Sequence, residues 1–91
     1  MADRQFIVTV ISPEETLYSG AALAVFLPGT SGRFEVLPGH APLISTLEAG
    51  EVVVRDAEGA EHRTAVRNGV VRVSGDKVTA CVEADKSGGE E

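Results

Sequence analysis

The segment G-V-V-R-V-S-G-D-K-V-T-A-C-V-E, residues Gly69 to Glu83, reads as two alternating apolar runs around a turn. In the first run Val71 and Val73 point one way and Arg72 the other. In the second, Val78, Ala80 and Val82 share a face, which leaves Cys81 either as a small packing residue or as an exposed thiol. Ser74-Gly75-Asp76 between them supplies the glycine that a tight hairpin needs. A period of two between turn residues means half-buried β-strands.

The same pattern recurs outward from this segment. Gln5 to Ile11 is Q-F-I-V-T-V-I, with Phe6, Val8 and Val10 on one face, and Glu51 to Asp56 is E-V-V-V-R-D. Ala57-Glu58-Gly59-Ala60 offers a positive φ at Gly59 and predicts a hairpin; Asn68-Gly69 predicts a second. Gly and Pro break the chain at Pro13, Gly20, Pro28-Gly29, Gly32, Pro38-Gly39, Pro42, Gly50, Gly59, Gly69 and Gly75. The gaps are mostly strand-sized, and no helical stripe or internal repeat stands out. Short strands at this spacing predict an all-β sandwich or barrel. One domain is expected over residues 1–85, followed by a polar, Gly-rich, disordered tail at 86–91.

Composition narrows the function. At 91 residues, one domain or a fragment of something larger is expected, and a chain so small leaves roughly 35–40% of its unfolded surface wet. It folds marginally alone or leans on a partner. Hydrophobic residues make up 43% and aromatics only 4%, so Val, Leu, Ile and Ala must build the core. The formal net charge of −6 excludes the phosphate-neutralising chemistry of nucleic-acid binding and a polybasic membrane anchor. A single cysteine, Cys81, rules out an internal disulfide framework and a cysteine zinc site. The longest apolar run, Ala21 to Pro28, is far below the ~18 residues of a membrane helix. A soluble, cytoplasmic protein is expected.

No active site assembles from the residues. His40 and His62 are the only histidines, too few for a metal site without converging carboxylates. His62 lies in a polar run, Glu61-His62-Arg63-Thr64, that reads as a solvated strand face. His40 lies in Leu37-Pro38-Gly39-His40-Ala41-Pro42, a loop stiffened by two prolines. Its imidazole either bonds the loop backbone or is presented for recognition. Pro28-Gly29-Thr30-Ser31-Gly32 lacks the Lys-Ser/Thr of a phosphate loop and reads as a surface loop. The residues alone point to a small β adaptor without cofactor or metal.

The order of motifs adds a resemblance. Pro13 with Thr16-Leu17-Tyr18-Ser19-Gly20, then Pro28-Gly29-Thr30-Ser31-Gly32-Arg33-Phe34, then Val36-Leu37-Pro38-Gly39-His40-Ala41-Pro42-Leu43-Ile44-Ser45-Thr46-Leu47, then Ala49-Gly50 closely resembles the epsilon subunit of bacterial F-type ATP synthases. The L-P-G-H-A-P-L block is the specific part, and the likeness runs over roughly residues 5–85. It implies a two-sheet β-sandwich of short, mostly antiparallel strands. It implies a non-catalytic rotor subunit at the foot of the central stalk, on the cytoplasmic face of the bacterial inner membrane. There it couples the membrane rotor ring to the gamma subunit, without cofactor, metal or membrane insertion, and it is a monomer when isolated.

Residue by residue, the resemblance implies that Ser12, Gly39, His40 and Ala41 face gamma and that Thr30, Ser31, Gly32 and Arg33 face the ring. Arg33 stands where an acidic residue is common, Glu35 where glycine is common, and Asn68 for the first of two glycines. Longer members continue into a C-terminal helical hairpin that inhibits hydrolysis and in some members binds ATP. A chain ending at Gly88-Gly89-Glu90-Glu91, whether a naturally short form or a truncated one, is expected to lack both properties. The rivals are a free-standing β-sandwich binding module, which calls for a deep apolar pocket, and a small metal-dependent β-barrel enzyme, which calls for His40 and His62 to converge with a carboxylate.

Overall fold

The computed structural model describes residues 4–85, so the expected tail at 86–91 lies outside the described residues. Seven strands follow in order: β1 (Phe6–Ile11), β2 (Thr16–Gly29), β3 (Gly32–Val36), β4 (Leu43–Leu47), β5 (Gly50–Asp56), β6 (Glu61–Ser74) and β7 (Lys77–Ala84). The all-β expectation holds. Every pairing is antiparallel except β1 with β7.

Two strands are not short. β2 and β6 each run fourteen residues and belong to both layers of the sandwich. The first half of β2 pairs with β1, and its second half with β5 and β3. The first half of β6 pairs with β5, and its second half with β7 and β4. Layer one is therefore β4, β6, β7, β1 and β2; layer two is β3, β2, β5 and β6. Register shifts at Ala22/Ala24 and Val66/Asn68 mark the crossings, because a bulge adds the local bend a strand needs to change sheets.

The crossings correct two readings of the sequence. Gly20 lies inside β2, and Asn68-Gly69 lies inside β6 beside its bulge rather than at a hairpin. A Cβ at Gly69 would stand 2.7 Å from the Cys81 carbonyl oxygen, so the glycine serves close approach of β6 to β7. The other hairpins form as expected. Gly75 at φ 62 begins the two-residue turn between Ser74 and Lys77, the type II′ pattern. Gly59 has φ 92 in the β5–β6 turn.

The alternation places Phe6, Val8, Val10, Val71, Val73, Val78, Ala80 and Val82 in the core with Leu27, Val52 and Val54. Cys81 therefore points outward and is exposed. Burying each valine or leucine contributes about 1.5–3 kcal/mol, and the small side chains let the layers approach closely.

One open end of the sandwich is closed by polar groups. Asp56 Oδ1 accepts the backbone N–H groups of Glu58 and Ala60, both at 2.9 Å, which ties the β5–β6 turn. Its Oδ2 accepts from His62 Nε2 at 2.8 Å. The His62 ring lies 5.0 Å from that of Tyr18, whose hydroxyl donates to the Ala21 carbonyl at 2.9 Å. The His62 hydrogen bond, helped by the two backbone donors, holds the Asp56 carboxyl below its usual pKa of 3.8. Desolvation, with Asp56 and Glu58 nearby, raises Tyr18 above 10.0.

Three predictions arise here. Gly69→Ala lowers unfolding free energy in urea by about 1–3 kcal/mol, and Leu27→Ala by about 2–5 kcal/mol. Because the Asp56 pKa is lowered on folding, its stabilisation is present above pH 3.8 and is lost as pH falls through the folded value. Asp56→Asn should therefore flatten the acid limb of a stability-against-pH curve; an unchanged limb counts against the turn assignment.

Candidate docking surfaces

The two outer faces of the sandwich differ. On layer two, Arg33, Glu35, Glu51, Arg55, Glu61 and Arg63 form a charged roof. Arg33 and Arg55 lie 6.0 and 5.6 Å from the Phe26 ring centre. Arg63 pairs with Glu51 at 3.2 Å and Glu61 at 2.9 Å, and Arg55 approaches Glu61 at 3.8 Å. Exposed pairs like these stabilise little individually, but their aliphatic stems cover apolar surface. That cover explains Val53, which faces outward yet is only 3% exposed.

Layer one has no such roof. Its outward residues include Ile7, Thr9 and Ile11 on β1, Thr79 and Cys81 on β7, Val70 and Arg72 on β6, and Ile44 and Thr46 on β4. Ile44 is 73% exposed, Ile7 45% and Val70 44%. Ile44 and Val70 are diagonal neighbours on β4 and β6, with Ile7 farther across the same face beyond β7, and large apolar side chains exposed on one face mark an interaction surface. Sequence reasoning missed this face. The signal was present in the outward positions of the alternating runs, but only the pairing register brings Ile7, Val70 and Ile44 onto one surface.

The sequence-derived residues fall around this face in three groups. Ser12 closes the β1–β2 turn: its N–H donates to the Glu15 carbonyl at 2.9 Å, and its Oγ accepts from the Glu15 N–H at 3.2 Å. Ile11 is level with Cys81 and Val70, so Ser12 sits at one end of layer one. Beside it runs an open groove of about 550 Å³ lined by Ile11, Pro13, Asn68, Cys81 and Glu83, not a deep enclosed pocket.

Gly39, His40 and Ala41 are exposed at the opposite end, in the loop leading into β4. His40 N–H donates to the Leu37 carbonyl at 3.1 Å, and its Nδ1–H donates to the Ala41 carbonyl at 2.7 Å. The backbone-bonded reading of this histidine is correct, and the loop it stiffens is also presented to solvent. Gly39 has φ 90, and a Cβ there would meet the Arg4 guanidinium at 2.8 Å. Ser12 and the His40 loop thus bracket the apolar face rather than adjoin each other.

Thr30 and Ser31 form the two-residue turn between Gly29 and Gly32. This tip is locked to its neighbours. Thr30 N–H donates to the Thr46 carbonyl at 3.2 Å, the two threonine hydroxyls lie 3.0 Å apart, and Glu48 N–H donates to the Pro28 carbonyl at 2.8 Å. Gly32 has φ 131 beside this turn. Arg33 folds back from the tip, donating from Nη1 to the Glu51 carbonyl at 2.9 Å.

His62 is engaged with Asp56 and His40 with its own loop. Among the described residues no three His, Cys, Asp or Glu side chains converge to hold a metal ion.

Comparison with known proteins agrees with this architecture. The family model described as the ATP synthase, Delta/Epsilon chain, beta-sandwich domain matches residues 5–86. The ATP synthase epsilon chain of Bordetella petrii is 40% identical over 76 residues, covering 84% of this chain and 54% of that one. The chain spans about half the length of several such curated relatives. The epsilon chain of Chlorobaculum tepidum is 33% identical over 82 residues, covering 90% of this chain and 93% of the other. Among solved structures, a chain of the Euglena gracilis mitochondrial ATP synthase, in an assembly of OSCP, F1 and c-ring, superposes with TM-score 0.81 at 20% identity. It covers 90% of this chain and 52% of that one. At that identity the likeness is one of fold. The family domain matched over residues 5–86, together with a relative of nearly equal extent at a third identity, shows that this chain belongs to the ATP synthase epsilon-chain family, in its β-sandwich domain.

Proposed function

We propose that the chain is a non-catalytic rotor subunit that couples the membrane ring of an ATP synthase to its gamma subunit, at the cytoplasmic face of the membrane. One observation carries the reading: layer one presents an unroofed apolar face bracketed by Ser12 and the Gly39-His40-Ala41 loop, while layer two is covered by its own charges. Gamma docks on layer one. The Thr30-Ser31-Gly32-Arg33 tip, at the Thr46 end of β4, faces the ring.

The fold suits a part that transmits torque. Hydrogen bonding runs around a closed circuit of β1, β7, β6, β5 and β2. A load applied at the tip passes into strands shared by both layers, so the layers resist sliding past each other. The tip is bonded to β4 and to the β4–β5 turn, so it moves with the body and not as a free loop.

Two tests follow. Ile44→Asp, and separately the pair His40→Asp with Ala41→Asp, should each weaken binding to gamma at least about tenfold in titration calorimetry. Ile44 is exposed, so its replacement should shift stability by no more than about 0.5 kcal/mol, whereas the double variant also loses the His40 Nδ1 bond to the Ala41 carbonyl and should cost about 1 kcal/mol. Unchanged affinity removes the docking assignment. In a Cys81→Ser background of the assembled synthase, Ser31→Cys should cross-link to a ring subunit while Glu58→Cys does not; the reverse pattern places the wrong end against the ring.

A further inference from the structure

We infer that the partner seated on layer one presents a carboxylate to Arg72, making this arginine a specificity-determining contact; the inference rests on the docking reading above. Arg72 lies on β6, level with Ile44 on β4 and Thr79 on β7, and Thr79 is level with Thr9. Val70 is two residues along the same strand, on the same face. A partner that covers Ile44 and Val70 therefore covers Arg72 as well.

That covering has an electrostatic consequence. Arg33, Arg55 and Arg63 on the other face are all held by acceptors or acidic partners of the chain itself. Arg72 has no ion pair or side-chain hydrogen bond among the described residues, and neither has Lys77 one row away. Water serves the five guanidinium donors in the free protein. A partner that removes this water must replace it, because a desolvated, unpaired cation opposes association. A carboxylate meets the guanidinium in a bidentate fork.

The surroundings select for an anion. The row of Arg72 and the rows on either side present Ile7, Lys77, Ser74, Thr9, Thr79, Ile44, Ile11, Cys81, Val70 and Thr46 on their strands; the nearest acids lie at the ends of this surface, Asp76 in the β6–β7 turn and Glu83 on β7, which accepts from Asn68. A chain of net charge −6 thus keeps on its unroofed face two cations that have no ion pair among the described residues. A shallow hollow of about 380 Å³ between Pro42, Ile44, Arg72 and Ser74 leaves room for an acidic side chain to reach down. The same charges disfavour a second copy of the chain as occupant, since a two-fold contact through this face brings like charges together.

The experiment is titration of the full chain against purified gamma subunit at low and at moderate salt. Arg72→Gln should weaken binding about tenfold and Arg72→Glu about a hundredfold, and Arg72→Gln should reduce the salt dependence. Arg63→Gln, on the roofed face, should bind within about twofold of wild type. If Ile44→Asp weakens binding and both Arg72 variants bind as wild type does, the docking face stands and the carboxylate contact falls. If wild type does not bind gamma, or Ile44→Asp is without effect, the docking reading fails and takes this inference with it. Sedimentation showing a wild-type dimer that Ile44→Asp dissociates assigns the face to a second copy and overturns the carboxylate contact.

Discussion

Small aliphatic side chains pressed between two layers that share strands β2 and β6 hold this molecule together. Apart from Phe6, the core is built of valines, alanines and a few leucines, and its packing depends on bringing them close. Gly69 shows how close: β6 approaches β7 until there is no room for a methyl group. Gly29 and Gly50 do the same at the tip, where a Cβ would collide with Phe34 and Pro28. The bulges at the crossings let one strand serve both layers, so the core is enclosed by continuous hydrogen bonding, and the strands added outside that circuit, β3 and β4, are only five residues long. Short edges limit unwanted strand pairing.

Once the core is closed, the outer faces are free to differ. Layer two spends its arginines on itself: three guanidinium groups lie over Phe26 and Val53 or pair with Glu51 and Glu61. That arrangement leaves a solvated surface with its charges satisfied. Layer one exposes isoleucine and valine with two cations left to water. The asymmetry gives a single stiff body one face suited to a protein partner, a bonded tip at one corner, and a polar closure by Asp56, His62 and Tyr18 elsewhere. Stiffness and asymmetry are what the coupling role we propose needs, since such a part must hold one neighbour while being driven by another.

Much of the fold was legible in the residues. The alternation of Phe6, Val8 and Val10, of Val71 and Val73, and of Val78, Ala80 and Val82 predicted strands and the inward face of each, because period-two burial is a local property. Gly59 and Gly75 marked real hairpins because positive φ is a local demand. Asn68-Gly69 misled for the same reason: the dipeptide permits a turn, but here glycine answers a steric need set by a neighbouring strand. E-V-V-V-R-D gave no clue that Val53 would be buried on the outer face, since the arginines covering it come from β3 and β6.

Local residue patterns carried the class of structure, the inward faces, the stiff loop around His40 and, through the order of the motifs, the family. The tertiary structure alone decided that β2 and β6 cross between layers, that Ser12 and the His40 loop stand at opposite ends of one surface, and that Ile7, Val70, Ile44 and Arg72 share it. The physical reason is register. Which residues lie side by side across strands depends on pairings between segments far apart in the chain, and no local pattern of residues encodes them.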